Sequence, residues 1–310
     1  MPIYSVRHVT TYAYSSPVAF GEHRIVCRPR ESFDQHVLAF AADIDPAPAE
    51  FLWSEDAAGN LVGTARFRRR ARRLRFEFLM RVEQRLCEAR DVRITEHAKA
   101  APFSYGAEQM PDLARFIERQ YPDPEHKVDG WAREILAKDP ERGTWPFLLR
   151  LNETIRHDFA YLRREEAGIQ DPVATLRNRS GSCRDFAVLA CEAVRAVGLA
   201  TRFVSGYLHV RAGDAVSLMA GGNTHAWLQV FIPGAGWVDF DPTSGTVGNK
   251  GLLRLAAVRD PAHAAPLTGS FIGFPSDFER MDVAVDVSLD GEAEQFEPAM
   301  PRPTLSRVVG

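Results

Sequence analysis

Gly181-Ser182-Cys183-Arg184-Asp185-Phe186 opens the stretch GSCRDFAVLACEAVRAVGLA, residues 181–200, and its reading decides the fold. Apolar residues recur at helical spacing from Cys183 to about Val197, which predicts a helix. Ser180 or Ser182 can cap its start, Asp185 sits in its first turn, and Gly198 closes its end. A cysteine therefore stands at a helix N-terminus. The free N–H groups and dipole there favour a thiolate, the form of cysteine that acts as a nucleophile. Gly181 is expected to let a substrate approach without a side chain in the way. Cys191 falls mid-helix among Val188, Leu189, Ala190 and Val194 and reads as core. Cys27 and Cys87 read the same way, on strands.

A nucleophilic thiol needs a base within hydrogen-bond reach, and the base needs a group that orients it. Downstream lie three strand-like runs: LATRFVSGYLHV (199–210), THAWLQVFI (224–232) and GWVDFDP (236–242). Along the second, His225, Trp227, Gln229 and Phe231 share one face, opposite an apolar face of Ala226, Leu228, Val230 and Ile232. Along the third, Trp237, Asp239 and Asp241 share a face. A hairpin that keeps both apolar faces together pairs residues whose numbers sum to 466 or 468. Asp241 is then directly opposite His225 or its diagonal neighbour, within carboxylate–imidazole reach in either register. Asp239 is a diagonal neighbour only in the first. The residues thus point to Cys183 as nucleophile, His225 as base and Asp241 as orienter. His209 is a weaker rival base, and His157 has no acid placed to orient it. A zinc site on Cys183, His225 and Asp241 is a less specific match than the triad.

Working upstream, TWPFLLRLNETIRHDFAYL (144–162) predicts a helix and RREEAGIQDPVATLRNRSGS (163–182) a loop. Helical spacing in MPDLARFIERQYP and KVDGWAREILAKDP predicts a helical connector over 99–140. Residues 1–98 alternate apolar and polar between turn signals, which predicts a β-sandwich. The connector is followed by the core over 141–275, then by a C-terminal strand and tail over 276–310, with MDVAVDVSL as the strand. One helix followed by an antiparallel sheet is an α+β arrangement. Arg66, Arg68, Arg69, Arg70, Arg72, Arg73 and Arg75 form a basic cluster without interleaved aromatic residues. It reads as the solvated turn and edge of a hairpin, not a nucleic-acid platform.

At 310 residues, 45% hydrophobic and 25% charged, the composition is that of a globular protein, and the net charge of −3 predicts no nucleic-acid or membrane partner. The N-terminal stretch lacks the basic start and apolar core of a signal peptide. Four scattered cysteines without a CxxC pair argue against a disulfide framework. A cytoplasmic protein with reduced thiols is the expectation.

The segments GSCRDFAVLACEAVRAVGLATRFVSGY and THAWLQVFIPGAGWVDFDPTSG together resemble the bacterial transglutaminase-like core, whose cysteine begins a helix. The histidine of that core precedes Ala-Trp, and its aspartate sits in a Trp-x-x-x-Asp-Pro-Thr run. SVRHVTTYAYSSPVAFGEHRIVCRPR, with Trp53-Ser54-Glu55-Asp56 and Gly59-Asn60, is similar to the β-rich domain that precedes such cores. VRDPAHAAPLTGSFIG (258–273) looks like a segment that follows them, except that Pro261, Ala262 and His263 stand where Tyr-Ala-Asp is expected. The resemblance spans about residues 1–275. It implies a papain-like or transglutaminase-like core behind an N-terminal β-sandwich, with Cys183, His225 and Asp241 catalytic.

The reaction so implied is acyl transfer through a thioester on a peptide, isopeptide or glutamine carboxamide, with hydrolysis expected ahead of crosslinking or deamidation. The Cys183 backbone N–H is the expected oxyanion donor, with Tyr161 and Trp145 as candidates for the second. Trp227 and Trp237 are expected to wall the cleft. The partner is a peptide or protein substrate, no metal or organic cofactor is implied, and the oligomeric state is open. Two readings compete: a non-catalytic peptide-binding protein on the same fold, and an N-terminal sandwich that is itself the functional binding module.

Overall fold

Strict alternation of apolar and polar residues over Ile3–Phe20 builds a long strand, β1, with Tyr4, Val6, His8 and Thr10 turned inward. The computed structural model describes residues 1–162, 168–210 and 224–290, so the start of the expected 163–182 loop and the expected loose C-terminal tail lie outside the described residues. Five more strands follow: β2 (His23–Ile25), β3 (Gln35–Asp45), β4 (Glu50–Glu55), β5 (Leu61–Arg66) and β6 (Ala71–Gln84). Then come α1 (Met110–Ile117), α2 (Lys127–Ala137), α3 (Thr144–Asp158), β7 (Ala160–Tyr161), α4 (Pro172–Asn178), β8 (Ser180–Gly181) and α5 (Cys183–Ala196). The chain continues through β9 (Thr201–Leu208), β10 (His225–Ile232), β11 (Gly236–Phe240) and β12 (Leu252–Val258). It ends in β13 (Leu267–Thr268), β14 (Phe271–Ile272) and β15 (Phe278–Leu289).

The chain divides into two units, one of residues 1–85 with 267–310 and the other of 86–266. In the first, one sheet runs β14-β1-β6-β3, with β15 also on β1, and a second runs β13-β2-β5-β4. Leu74, Phe76, Phe78, Met80 and Val82 alternate inward along β6 and supply much of its core. The C-terminal strand, expected as a separate segment, completes this sheet: Tyr4 pairs Leu289 and Val6 pairs Val287. The expected boundary near residue 98 also moves. Residues 86–98 belong to the second unit, where Cys87 N–H donates to Asn249 Oδ1 (2.8 Å) and Thr95 N–H to the Pro233 carbonyl (3.0 Å). Cys87 is therefore a half-buried loop residue, not a core strand residue, while Cys27, just past β2, is fully buried. Of the basic cluster, Arg68, Arg69, Arg70, Arg72 and Arg73 are exposed around the β5–β6 turn, while Arg66 and Arg75 bond nearby carboxylates.

The second unit packs α5 against an antiparallel sheet of order β11-β10-β9-β12. α1 and α2 belong to this unit and are not a free connector. Leu113 and Phe116 of α1 pack with Tyr105 and Ala200, and α2 packs on α5. Within the stretch expected as loop, Pro172–Asn178 is a short helix. Asp171 caps it by accepting from the N–H groups of Val173 (2.9 Å) and Ala174 (3.3 Å), and Pro172 stands at the first position, where its missing N–H costs nothing.

Candidate active site

The turn before α5 is held from three directions. Ser182 is the N-cap, and its backbone N–H and Oγ both donate to Asp185 Oδ2, at 2.8 and 2.9 Å. The Gln170 N–H donates to the other oxygen of the same buried carboxylate at 2.7 Å. A Cβ on Gly181 would stand 2.8 Å from the Asp185 Cβ, so this glycine is required by packing within the turn. The result is a rigid first turn that presents Cys183, itself only 8% exposed.

His225 begins β10 and Asp241 follows β11. The hairpin takes the second of the two registers, with Leu228 opposite Phe240 and Gln229 opposite Asp239, which makes Asp241 the diagonal neighbour of His225. His225 Nε2–H donates to Asp241 Oδ2 at 2.8 Å, with both side chains buried. The ring also interacts with the Cys183 side chain, through a hydrogen bond and through charge. The imidazole thus stands between thiol and carboxylate. Among the described residues, no three His, Cys, Asp or Glu side chains are grouped so as to hold a metal ion. The Asp241 carboxylate accepts further bonds from Ser244 Oγ (2.5 Å, to Oδ2) and the Thr243 N–H (2.9 Å, to Oδ1). The sequence reading did not single out Ser244. The Asp-Pro-Thr-Ser order is its signal, since an aspartate commonly bonds the chain just after it.

Burial by itself depresses an imidazolium, and here the Asp241 charge and the bonds to Asp241 and Cys183 outweigh it, raising His225 to about 10. Burial likewise opposes the Asp241 charge, but His225, Ser244 and the Thr243 N–H together hold the carboxylate below its ordinary value. The sign for stability follows. A group raised on folding contributes fully below its unfolded value of 6.5 and loses that contribution as the pH climbs toward about 10. Melting temperature is expected to fall over that window, and the His225→Gln variant to lack that part of the fall. Equal pH dependence in both proteins would contradict it.

The remaining candidates divide. Tyr161 lies beside the cysteine turn, since β7 pairs parallel with β8 and sets Tyr161 next to Gly181. Its ring meets Phe186 edge-on at 6.4 Å. Trp145 on α3 packs against Phe240, the neighbour of Asp241, at 5.7 Å. Trp237 is not brought to the site. It pairs with Phe231, six residues along β10 from His225 and so about 20 Å away, and packs against Phe116, Phe231 and the Arg202 guanidinium. Trp227 does not wall a cleft either, for it is fully buried. It stacks on His225 at 6.0 Å with the planes 25° apart, and its Nε1–H donates to Asp239 Oδ1 at 2.7 Å. Arg254 Nη1 donates to the other Asp239 oxygen at 3.0 Å. Of the rival bases, His157 is in the last turn of α3, and His209, just past β9, donates its backbone N–H to the Gly251 carbonyl (2.9 Å).

Gly206 is opposite His225 on β9, and a Cβ there would stand 2.6 Å from Trp227 Cη2 and closer still to the Leu253 carbonyl. Gly206→Ala is therefore expected to destabilise the protein by about 1–3 kcal/mol and to slow Cys183 alkylation as Trp227 shifts. Chemical denaturation and mass-spectrometric labelling read the two effects, and an unperturbed variant would show that the slot has room.

In chemical terms, a thiol at a helix start, a base bonded to it and a carboxylate behind the base are the components of covalent catalysis. Residues 4–83 match the bacterial transglutaminase-like N-terminal region, and residues 129–242 match the transglutaminase-like superfamily. Uncharacterized proteins of Mycobacterium bovis and Mycobacterium tuberculosis are 32% identical over 307 residues, covering 94% of this chain and 94% of theirs. Among solved structures, a candidate cysteine protease from Cytophaga hutchinsonii superposes with a TM-score of 0.71 at 19% identity, covering 96% of this chain and 93% of that one. The α+β core, the β-rich region before it and these matches over nearly the whole length agree: the chain belongs to the transglutaminase-like superfamily and carries that superfamily's bacterial N-terminal region.

Proposed function

We propose that the protein is a cysteine-dependent acyl-transfer enzyme that cleaves peptide or isopeptide bonds. The observation that carries the reading is the hydrogen-bonded order Cys183, His225, Asp241, with the cysteine on the first residue of α5. His225 takes the proton of Cys183, and the thiolate attacks the substrate carbonyl. The Cys183 backbone N–H, at the open end of the helix, stabilises the oxyanion. His225, held protonated by Asp241, gives its proton to the leaving amine, and a thioester remains. Water, deprotonated by His225, then attacks the thioester, releasing the carboxylic acid and restoring the thiol. The Cytophaga hutchinsonii neighbour, as a candidate cysteine protease, supports the hydrolytic direction. Crosslinking or deamidation of glutamine uses the same thioester, resolved by a protein amine or by water.

The test is incubation with a peptide-like thiol electrophile near neutral pH, followed by mapping of the labelled residue. Labelling confined to Cys183 that collapses in His225→Ala supports the reading, and slow labelling shared with Cys87 and unchanged by the substitution overturns it. A glutamine-rich protein offered with a primary-amine probe then separates the outcomes. New termini mean hydrolysis, probe incorporation means transfer, and conversion of glutamine to glutamate means deamidation.

A further inference from the structure

Resting on that reading, we infer that Asp239 and Arg254 are positioning residues for the active-site imidazole, acting through the Trp227 indole. Two of the three constraints on the His225 ring are its own hydrogen bonds, to Asp241 and to Cys183. Hydrogen bonds at ring nitrogens constrain the ring mainly within its own plane and hold the tilt of that plane less tightly. The third constraint is the Trp227 face, stacked on His225 with the planes 25° apart. Trp227 is two residues along the same face of β10 and packs with Val204, Leu252 and Ala257.

The indole in turn has one polar atom, and a buried Nε1–H needs an acceptor. Asp239 Oδ1 supplies it at 2.7 Å. A carboxylate this deep is costly without a counter-charge, and Arg254 provides one on the opposite oxygen at 3.0 Å. Asp239 and Arg254 are each 4% exposed or less, so neither is a surface pair of little consequence. The order Arg254, Asp239, Trp227, His225 therefore runs from a buried ion pair to the catalytic ring. Gly206 leaves room for the far edge of the indole, so the ring is set by a bond on one side and a slot on the other. Asp239 touches neither thiol nor substrate carbonyl in this arrangement, which makes it a positioning group.

The test follows the His225 imidazole by NMR titration, together with the rate of Cys183 alkylation at pH 7, in three variants. Trp227→Phe keeps the stacking ring and the Asp239–Arg254 pair while removing the N–H. Asp239→Asn removes the charge. Arg202→Gln disrupts a different polar contact of the same sheet, the one to Gln229, and serves as control. Trp227→Phe and Asp239→Asn are expected to lower the His225 titration midpoint and slow alkylation about tenfold, within the loss that a small misplacement of a reacting group causes. Arg202→Gln is expected to change neither. If Asp239→Asn fails to fold, Trp227→Phe alone decides. Wild-type reactivity at Cys183 with unchanged titration and rate in Trp227→Phe overturns this inference and leaves the proposed function standing. Wild-type Cys183 alkylated no faster than Cys87 overturns both.

Discussion

Asp241→Ala is expected to lower Cys183-dependent turnover by about 10³–10⁴-fold while the protein stays folded, the scale on which losing a triad orienter acts. Two causes add. The imidazole loses the bond that fixes which nitrogen faces the thiol, and it loses the charge that keeps it protonated inside the protein. With the carboxylate gone, burial dominates, so the His225 titration moves down from about 10 toward and below its ordinary value. Asp241→Asn separates the causes, since an amide oxygen still accepts from Nε2–H without bringing a charge. It is expected to fall between wild type and Asp241→Ala. Turnover on a cleaved peptide, with the imidazole titration beside it, checks both. Equal activity in Asp241→Ala would remove Asp241 from the mechanism.

The second large effect concerns stability. Glu192 lies in α5 three residues before Arg195, with no exposed side-chain surface. It bonds Arg195 Nη1 at 2.8 Å and Arg119 Nε at 2.7 Å, and it accepts from the Gln120 N–H at 3.3 Å. Arg195 is itself buried and also donates to the carbonyls of Phe116 and Thr201. Glu192→Ala strands a buried arginine, and removing one partner of such a pair costs about 3–5 kcal/mol. Denaturation should show the loss in the midpoint with little change in slope. A loss under 1 kcal/mol would mean that water or Arg119 movement relieves the charge.

Strong local patterns made the site legible in the sequence. The helix start at Cys183 carries its own cap and acid, and strand parity alone put Asp241 within reach of His225 before the register was known. The same parity placed Trp227 and Trp237 on the His225 face, but parity says nothing of depth. Trp227 lies beneath the sheet's own residues, and Trp237 is too far along the strand. The α4 helix was missed because seven residues give little periodicity and its evidence is a cap, Asp171 before Pro172. Glu192 and Arg254, and the bonding of Asp239 to Trp227 rather than to His225, were invisible for a different reason. Each reads alone as an ordinary charged residue, and only tertiary contact turns them into buried pairs. The boundary near residue 98 moves because residues 86–98 bond to Asn249 and Pro233, far along the chain, and the C-terminal strand joins the first unit because β15 pairs with β1.

That last pairing bears on how the protein is made. Strand β1 leaves the ribosome before the second unit does, yet the partner on one of its edges, β15, is translated after that entire unit. At ~5–20 residues per second, a nascent chain carries an unclosed β edge for on the order of ten seconds or more. The second unit, contiguous in sequence, can finish first, so the sheet begun before it is completed after it. An interrupted translation product is then expected to hold a formed thiol site behind a sticky, open-edged sandwich.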